Sequence, residues 1–206
     1  MDAITLLKED HKTVAALFKQ FEALTDRALK MKKTVVAKII RELAVHAAIE
    51  EMLFYPAVRA AAKAKESKAS DAADDLVLES LEEHHIVKWT LSELEKMNPE
   101  DERYDAKMDV LMESVRHHVE EEQEDLFPKA RRLMGDKALA ELGERMAKAK
   151  KMAPTHPHPR SPDEPPGNFV AGGIAAMMDR GGDMVKNLAG KVVKTARARA
   201  AKELDS

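Results

Sequence analysis

Two short stretches, 72 residues apart, decide how this chain folds. The first is His46-Ala-Ala-Ile-Glu50-Glu-Met-Leu-Phe-Tyr-Pro56, and the second is His118-Val-Glu-Glu-Glu122-Gln-Glu-Asp-Leu-Phe-Pro128. Each stretch places a histidine and a glutamate four residues apart, which puts both side chains on one face of an α-helix. Apolar residues occupy the same face, so the sequence predicts that these ionisable groups point into a core.

The segments around these stretches show the 3.6-residue periodicity of long amphipathic helices. The face that holds His46 and Glu50, for example, also holds Ile39, Leu43 and Leu53. Breaks are expected at four places, near residues 26–32, 65–70, 98–101 and 134–136. Four long helices with short connections predict an all-α protein, an up-down-up-down four-helix bundle, followed by a short fifth helix from about residue 137 to 151.

The repeat extends to the helices that precede the two stretches. His11 and Phe18 recur 73 residues later as His84 and Leu91. Each half is therefore a helical hairpin with one histidine on its first helix and a His-x-x-x-Glu on its second. The ionisable residues that interrupt the apolar faces are His11, His46, Glu50, His84, His118 and Glu122.

Buried carboxylates without compensation are very costly, and four such faces converge inside an antiparallel bundle. A pair of metal ions would remove that cost, because carboxylates bridge metals and neutral imidazoles supply nitrogen ligands. The alternative is a glutamate–histidine ion-pair network without metal. A single histidine on an apolar face is usually a hydrogen-bonded core residue, and the repeated pattern of six is what favours a metal site.

Four neighbouring residues are alternative ligands: His85, His117, Glu51 and Glu121. The apolar stripe and the repeat select His84 over the histidine that follows it, and His118 over the one that precedes it. The unselected histidines are expected around the site or in solvent. The two glutamates are expected at the surface, with a role as spare oxygen ligands as the alternative.

These motifs resemble the HHE cation-binding domain of hemerythrin-like proteins. The resemblance covers about residues 1–134 and rests on Asp10-His11, His46-x-x-x-Glu50, Glu83-His84-His85 and His118-x-x-x-Glu122, in this order and spacing. It implies a four-helix bundle around a non-haem di-iron centre, in which Glu50 and Glu122 bridge two iron ions and the four histidines are terminal ligands. Manganese and zinc stay open, because nitrogen and oxygen ligands suit them as well.

The chain departs from oxygen-carrying hemerythrins, which have a fifth histidine in a His-x-x-x-His pair on the third helix. Here the residue four positions after His84 is Lys88. The missing ligand leaves coordination positions for water, oxygen or peroxide, which favours reaction over reversible storage. The resemblance thus implies oxygen or peroxide binding in oxidative stress, sensing or detoxification. The alternatives are an iron-handling or iron-sensing module and a catalase-like or peroxidase-like enzyme; no catalytic residue is assigned.

Composition changes near residue 150. Six of the nine prolines lie between Pro154 and Pro166, and six of the eight glycines lie between Gly167 and Gly190. We therefore expect a bundle domain over residues 1–150, a Pro- and Gly-rich linker over 151–172, and a flexible basic tail over 173–206. The tail is expected to form a loosely ordered helix, and the alternative is an amphipathic helix that contacts a membrane surface or a protein. Metal binding is expected to survive its removal.

Several function classes are excluded by composition. The 206 residues include no cysteine, which rules out disulfides, zinc–thiolate sites, iron–sulfur clusters and a thiol nucleophile. The net charge of −3 offers no argument for nucleic acid as a partner. Neither a signal-peptide pattern nor a run of 18 apolar residues is present, so we expect a cytoplasmic protein.

Overall fold

The structure, a computed structural model, describes residues 1–65 and 68–162 together with Asp179. Its helices are α1 (Ala3–Glu22), α2 (Leu29–Ile49), α3 (Tyr55–Lys63), α4 (Lys68–Leu94), α5 (Tyr104–Glu121) and α6 (Phe127–Lys150), and two single π-helical turns lie at Glu50–Phe54 and Glu122–Leu126. One π turn joins α2 to α3 and the other joins α5 to α6, so four long helical rods form the predicted bundle. The described residues contain no β-strand.

Local signals set the helix ends. α1 begins after Asp2, whose Oδ1 accepts the backbone N–H of Thr5 at 2.8 Å. The break expected near residues 134–136 lies at Gly135, whose φ of 77° is in the left-handed region that favours glycine. Residues 136–150 of α6 therefore form the short fifth helix. At Gly143 on that helix an added Cβ would lie 2.4 Å from the carbonyl oxygen of Met1, so glycine permits the close approach of α1.

A layer of buried polar residues divides the core into two apolar clusters. One cluster surrounds the start of α1 and the π turns and includes Leu7, Ile49, Phe54, Tyr55, Val77, Leu126 and Phe127. The other fills the opposite end of the bundle and includes Val14, Phe18, Ile39, Leu43, Leu91, Met108 and Leu111. On α1 and α4 the predicted histidine falls between residues of the two clusters in sequence, and it therefore lies in the layer between them.

The π turns begin at the two glutamates that the sequence singles out. The N–H of Tyr55 donates to the carbonyl of Glu50, and the N–H of Phe127 donates to the carbonyl of Glu122, which is the i→i+5 pattern of a π turn. A proline follows directly in both copies, and a wider turn avoids the clash of its ring with the preceding turn. The extra residue shifts the buried face, so Leu53 is only half-buried, contrary to the periodicity.

The C-terminal part is described only in pieces. Residues 153–162, from the predicted linker, lie against the bundle with Ala153, Pro154, Thr155 and Pro157 buried. The predicted tail over 173–206 lies outside the described residues apart from Asp179. Within the described ranges, no helix is both long and apolar enough to cross a membrane.

Candidate metal centre

The six ionisable residues that interrupt the apolar stripes meet in the polar layer of the core. The histidines form two pairs, one from each hairpin. Nε2 of His11 lies 3.2 Å from Nε2 of His46, and Nε2 of His84 lies 3.2 Å from Nε2 of His118. All four imidazoles thus turn the same ring nitrogen towards the middle of the bundle.

Each carboxylate reaches both histidine pairs. Glu50 Oε2 lies 3.0 Å from Nε2 of His46 and 3.4 Å from Nε2 of His84. Glu122 Oε2 lies 3.3 Å from Nε2 of His11 and 3.7 Å from Nε2 of His118. The donor atoms fall into two groups, each compact enough to hold a metal ion: His11, His46, Glu50 and Glu122 in one, and Glu50, His84 and His118 in the other.

The carboxylates are under-satisfied by the protein alone. Both oxygens of Glu50 and Oε2 of Glu122 are buried and have no hydrogen-bond partner among the described residues. Burial, and then the charge of Glu122, raise the pKa of Glu50 well above its ordinary value. Burial also raises the pKa of Glu122, but the charge of His118 and the nearby His11 outweigh it, so the net pKa is lowered. Without a cation, therefore, one carboxyl of the pair is held neutral.

Burial acts on the histidines as well. It lowers the pKa of His46 to about 4 and lowers the pKa of His84. Burial lowers the pKa of His118 too, but the charge of Glu122 and the hydrogen bond to Glu83 raise it more, so the net shift is upward. Neutral imidazole is the form that binds metal, so the lowered pKa values of His46 and His84 suit a ligand role.

Nδ1 of each inner histidine points away from the centre and lies near a second polar residue, here called its outer partner. His84 donates to Glu51 Oε1 at 3.1 Å, and His118 donates to Glu83 Oε2 at 2.7 Å. Oδ2 of Asp10 lies 3.7 Å from Nδ1 of His46. The fourth partner, beside His11, is the amide of Gln123 at 3.4 Å. A carboxylate at Nδ1 fixes the ring orientation and raises the basicity of a metal-binding histidine, whereas the amide nitrogen of Gln123 is a donor.

The outer partners obey the sequence repeat. Asp10 and Glu83 correspond at the 73-residue shift, and Glu51 and Gln123 correspond at the 72-residue shift. Each outer residue is thus the immediate neighbour of an inner residue, but it serves the histidine of a different helix. Sequence analysis missed these roles, although polar residues recur at the positions next to the inner residues in both halves of the repeat.

Two lysines neutralise two of the outer carboxylates. Lys88 Nζ lies 2.9 Å from Oε1 of Glu51, so this lysine, four residues after His84, is buried in an ion pair beside the centre. Lys150, the last residue of α6, donates to Asp10. Burial raises the pKa of Asp10, but the nearby His46 and the hydrogen bond from Lys150 outweigh it, and the net pKa is lowered.

The aromatic residues after the two π turns differ. The Tyr55 hydroxyl donates to Glu122 Oε1 at 3.0 Å, and the hydroxyl oxygen lies 3.4 Å from Nε2 of His84. Phe127, its counterpart in the repeat, stacks on the His11 ring at 5.9 Å between centroids and offers no polar group. The structure thus brings the Tyr55 hydroxyl to the edge of the site.

The alternative ligands fall outside the inner group. His85 and His117 are exposed, in line with the choice of their neighbours. Glu51 is buried rather than at the surface, because it bonds to His84 and Lys88. Glu121 lies near Nε2 of His117 at 3.7 Å, and both join Glu83 in a small group on the outside of α4 and α5.

The comparisons with known proteins agree with this geometry. Residues 2–130 match the family model of the hemerythrin HHE cation binding domain. A hemerythrin-like protein of Schizosaccharomyces pombe is 28% identical over 149 residues, which are 72% of this chain and 70% of that protein. The crystal structure of a hemerythrin HHE cation binding domain-containing protein from Mycobacterium kansasii is 25% identical, with a TM-score of 0.60, over 73% of this chain and 86% of that one.

Proposed function

The chain belongs to the hemerythrin HHE cation-binding domain family, and we propose that it binds two iron ions and takes oxygen or peroxide at that centre. One ion would be held by His11 and His46, the other by His84 and His118, and Glu50 and Glu122 would bridge them. The observation that carries the proposal is that Oε2 of each glutamate reaches one histidine of each pair.

The residues fit two cations. Three oxygens of the two buried carboxylates have no hydrogen-bond partner among the described residues, and a cation would compensate their negative charge. Four imidazoles face the same space, and each can offer the lone pair of its Nε2 atom in the neutral form. Carboxylate and imidazole together suit iron, and manganese and zinc bind the same donors. When bound, iron would supply open coordination positions and redox chemistry towards oxygen or peroxide.

The protein's own contribution is to hold the ligands and control protons. Glu51 and Glu83 fix the tautomer of His84 and His118 by accepting their Nδ1–H, which leaves Nε2 for the metal. The Tyr55 hydroxyl donates to Glu122 and fixes that carboxylate in the layer. Phe127 and Phe54 pack edge to face beside His11 and keep water from this side of the centre.

The first experiment is elemental analysis of protein produced with iron available and purified without chelator. About two irons per chain support the di-iron proposal, because the two donor groups share their carboxylates. Oxygen and hydrogen peroxide are then added to the reduced protein. A new charge-transfer absorption without turnover indicates binding, and turnover of peroxide that His84→Ala abolishes indicates an enzyme.

His117→Ala is the matched control, since this histidine is exposed on the same helix as His118. It should keep the full metal content. One metal per chain, or zinc, would retain the site but remove the redox role. A stable bundle that takes up no metal would overturn the proposal in favour of an internal ion-pair network.

A further inference from the structure

Residues 153–162, here called the strap, cross the outside of the bundle beside the metal centre. Together with α2 and α4 the strap borders a partly open cavity of about 50 Å³, lined by Ala44, Met52, Glu51, Lys88 and strap residues such as His158. A space of this size holds one or a few water-sized molecules. The cavity therefore separates the strap from the bundle at a place where small species can reside.

The cavity lies directly behind a proposed metal ligand. Glu51 lines it and accepts the Nδ1–H of His84 at 3.1 Å. Glu51 and its ion-pair partner Lys88 are only 6% and 7% exposed, although they stand on the outer side of the histidine. An ion pair excluded from water is costly, and here the strap contributes to that exclusion. The strap thus closes one approach to the centre.

Polar contacts from Asp179 and from the end of α4 hold the strap against the bundle. Asp179 Oδ2 accepts the backbone N–H groups of Thr155 at 2.9 Å and His156 at 3.1 Å. Oδ1 of the same carboxylate lies 3.1 Å from Nε2 of His158. On the bundle side, Nε2 of His156 lies 3.3 Å from Glu95 Oε1, just beyond the end of α4. One buried carboxylate from the far C-terminal region therefore acts as a latch on the strap.

We propose that the strap is a lid, latched by Asp179, which slows the passage of metal ions and small ligands between solvent and the centre. The proposal rests on the metal site proposed above. The strap supplies none of the six inner residues, so opening it changes access and leaves the inner donors in place. A lid of this kind changes the rates of loading and release by the same factor and leaves the equilibrium affinity unaltered.

The test uses the full chain and cobalt(II), whose visible absorption reports the bound ion. Loading of the metal-free protein and release to excess chelator are timed for the wild type and for Asp179→Ala. Removal of the latch should raise both rates by about tenfold, which corresponds to about 1.4 kcal/mol, with the ratio of the rates unchanged. The matched control is Glu141→Ala, which removes an exposed carboxylate from α6 and should alter neither rate.

A second readout does not depend on metal. In the metal-free protein, acetylation of Lys88 by acetic anhydride, followed by mass spectrometry, should be faster in Asp179→Ala and in His158→Ala than in the wild type. Unchanged labelling in both variants would overturn the lid. Faster labelling with unchanged metal rates would also overturn it, as would an increase in release alone. A wild type that binds no cobalt or iron would instead overturn the proposed function, before any variant is compared.

Discussion

The two hairpins of the bundle carry the same inner residues and different surroundings. The inner histidines and glutamates repeat without change, but the outer Glu51 corresponds to Gln123, and Tyr55 corresponds to Phe127. The His84–His118 pair is therefore backed by two carboxylates and faces a hydroxyl, whereas the His11–His46 pair is backed by one carboxylate and an amide and faces an apolar ring. The comparison indicates that the repeat preserves the candidate ligands and that the two proposed metal positions would not be equivalent.

The largest expected effect comes from the two inner carboxylates. Glu50→Gln and Glu122→Gln should each weaken metal binding by more than ~100-fold, because a neutral amide does not compensate two cations. Their effects on the metal-free protein should differ. Glu50 is already held neutral by its raised pKa, so its variant should change the free energy of unfolding by less than about 1 kcal/mol. Glu122 is ionised, and its loss should cost about 2 kcal/mol.

Metal titration and urea unfolding of the metal-free variants measure both effects. Equal destabilisation by the two substitutions would contradict the conclusion that Glu50 is the neutral, protonated carboxyl of the pair.

The next effect concerns the outer partner that differs between the hairpins. Glu51→Gln copies the residue found at position 123, and it leaves the buried Lys88 without this carboxylate. We expect metal binding at the His84–His118 position to weaken by roughly 10–100-fold and the protein to lose about 3 kcal/mol of stability. Calorimetric titration and thermal unfolding give the two quantities.

The double variant Glu51→Gln with Lys88→Met separates the two causes. It should recover most of the stability and none of the affinity. Recovery of both would mean that the charge on the lysine, and not the missing hydrogen bond to His84, weakens the metal.

The pH dependence of the metal-free protein should distinguish His46 from His118. The unfolded state protonates His46 near pH 6.5, and the folded state only near pH 4. Between these values the unfolded state holds more protons, so stability falls as the pH falls through this window, by about 3 kcal/mol from this residue. The pKa of His118 is raised, so its contribution is complete below pH 6.5 and is lost as the pH rises through the folded value.

Unfolding curves of His46→Gln and His118→Gln across pH 4 to 8 test the two signs. The first variant should lose the acid-side decline, and the second should lose the decline on the alkaline side. If the free energy of unfolding depends on pH in the same way in both variants, the two hairpins do not differ in the electrostatics of these histidines.

The smallest effect is expected from the aromatic pair. Tyr55→Phe removes the hydrogen bond to Glu122 and should cost about 1.5 kcal/mol while two metals still bind. It also makes the second position resemble the first, so the two positions should become more alike in the visible spectrum of the cobalt protein. Phe127→Leu, which removes the stacked ring beside His11, is the control for packing alone. A spectrum unchanged by Tyr55→Phe would indicate that the hydroxyl does not influence the centre.

The sequence by itself determines the helical bundle and the residues of its polar layer. The spacing of four in each His-x-x-x-Glu, the apolar stripes and the repeat predict the bundle and the six residues of its polar layer, because helix geometry makes i and i+4 share one face. The short fifth helix and the choice of His84 and His118 over their neighbours follow from the same periodicity, and burial in the structure agrees with it.

Tertiary structure alone decided the surroundings of that layer. Glu51 and Glu83 look like ordinary helix-surface acids in the sequence, and only the packing of neighbouring helices turns them towards the Nδ1 atoms of other histidines. The π turns after the glutamates shift the buried face by one residue and bring the Tyr55 hydroxyl to the site. The strap and its latch join segments far apart in the chain, and no local periodicity encodes such contacts. Sequence reports which face a helix buries, and the folded bundle decides what each buried group meets.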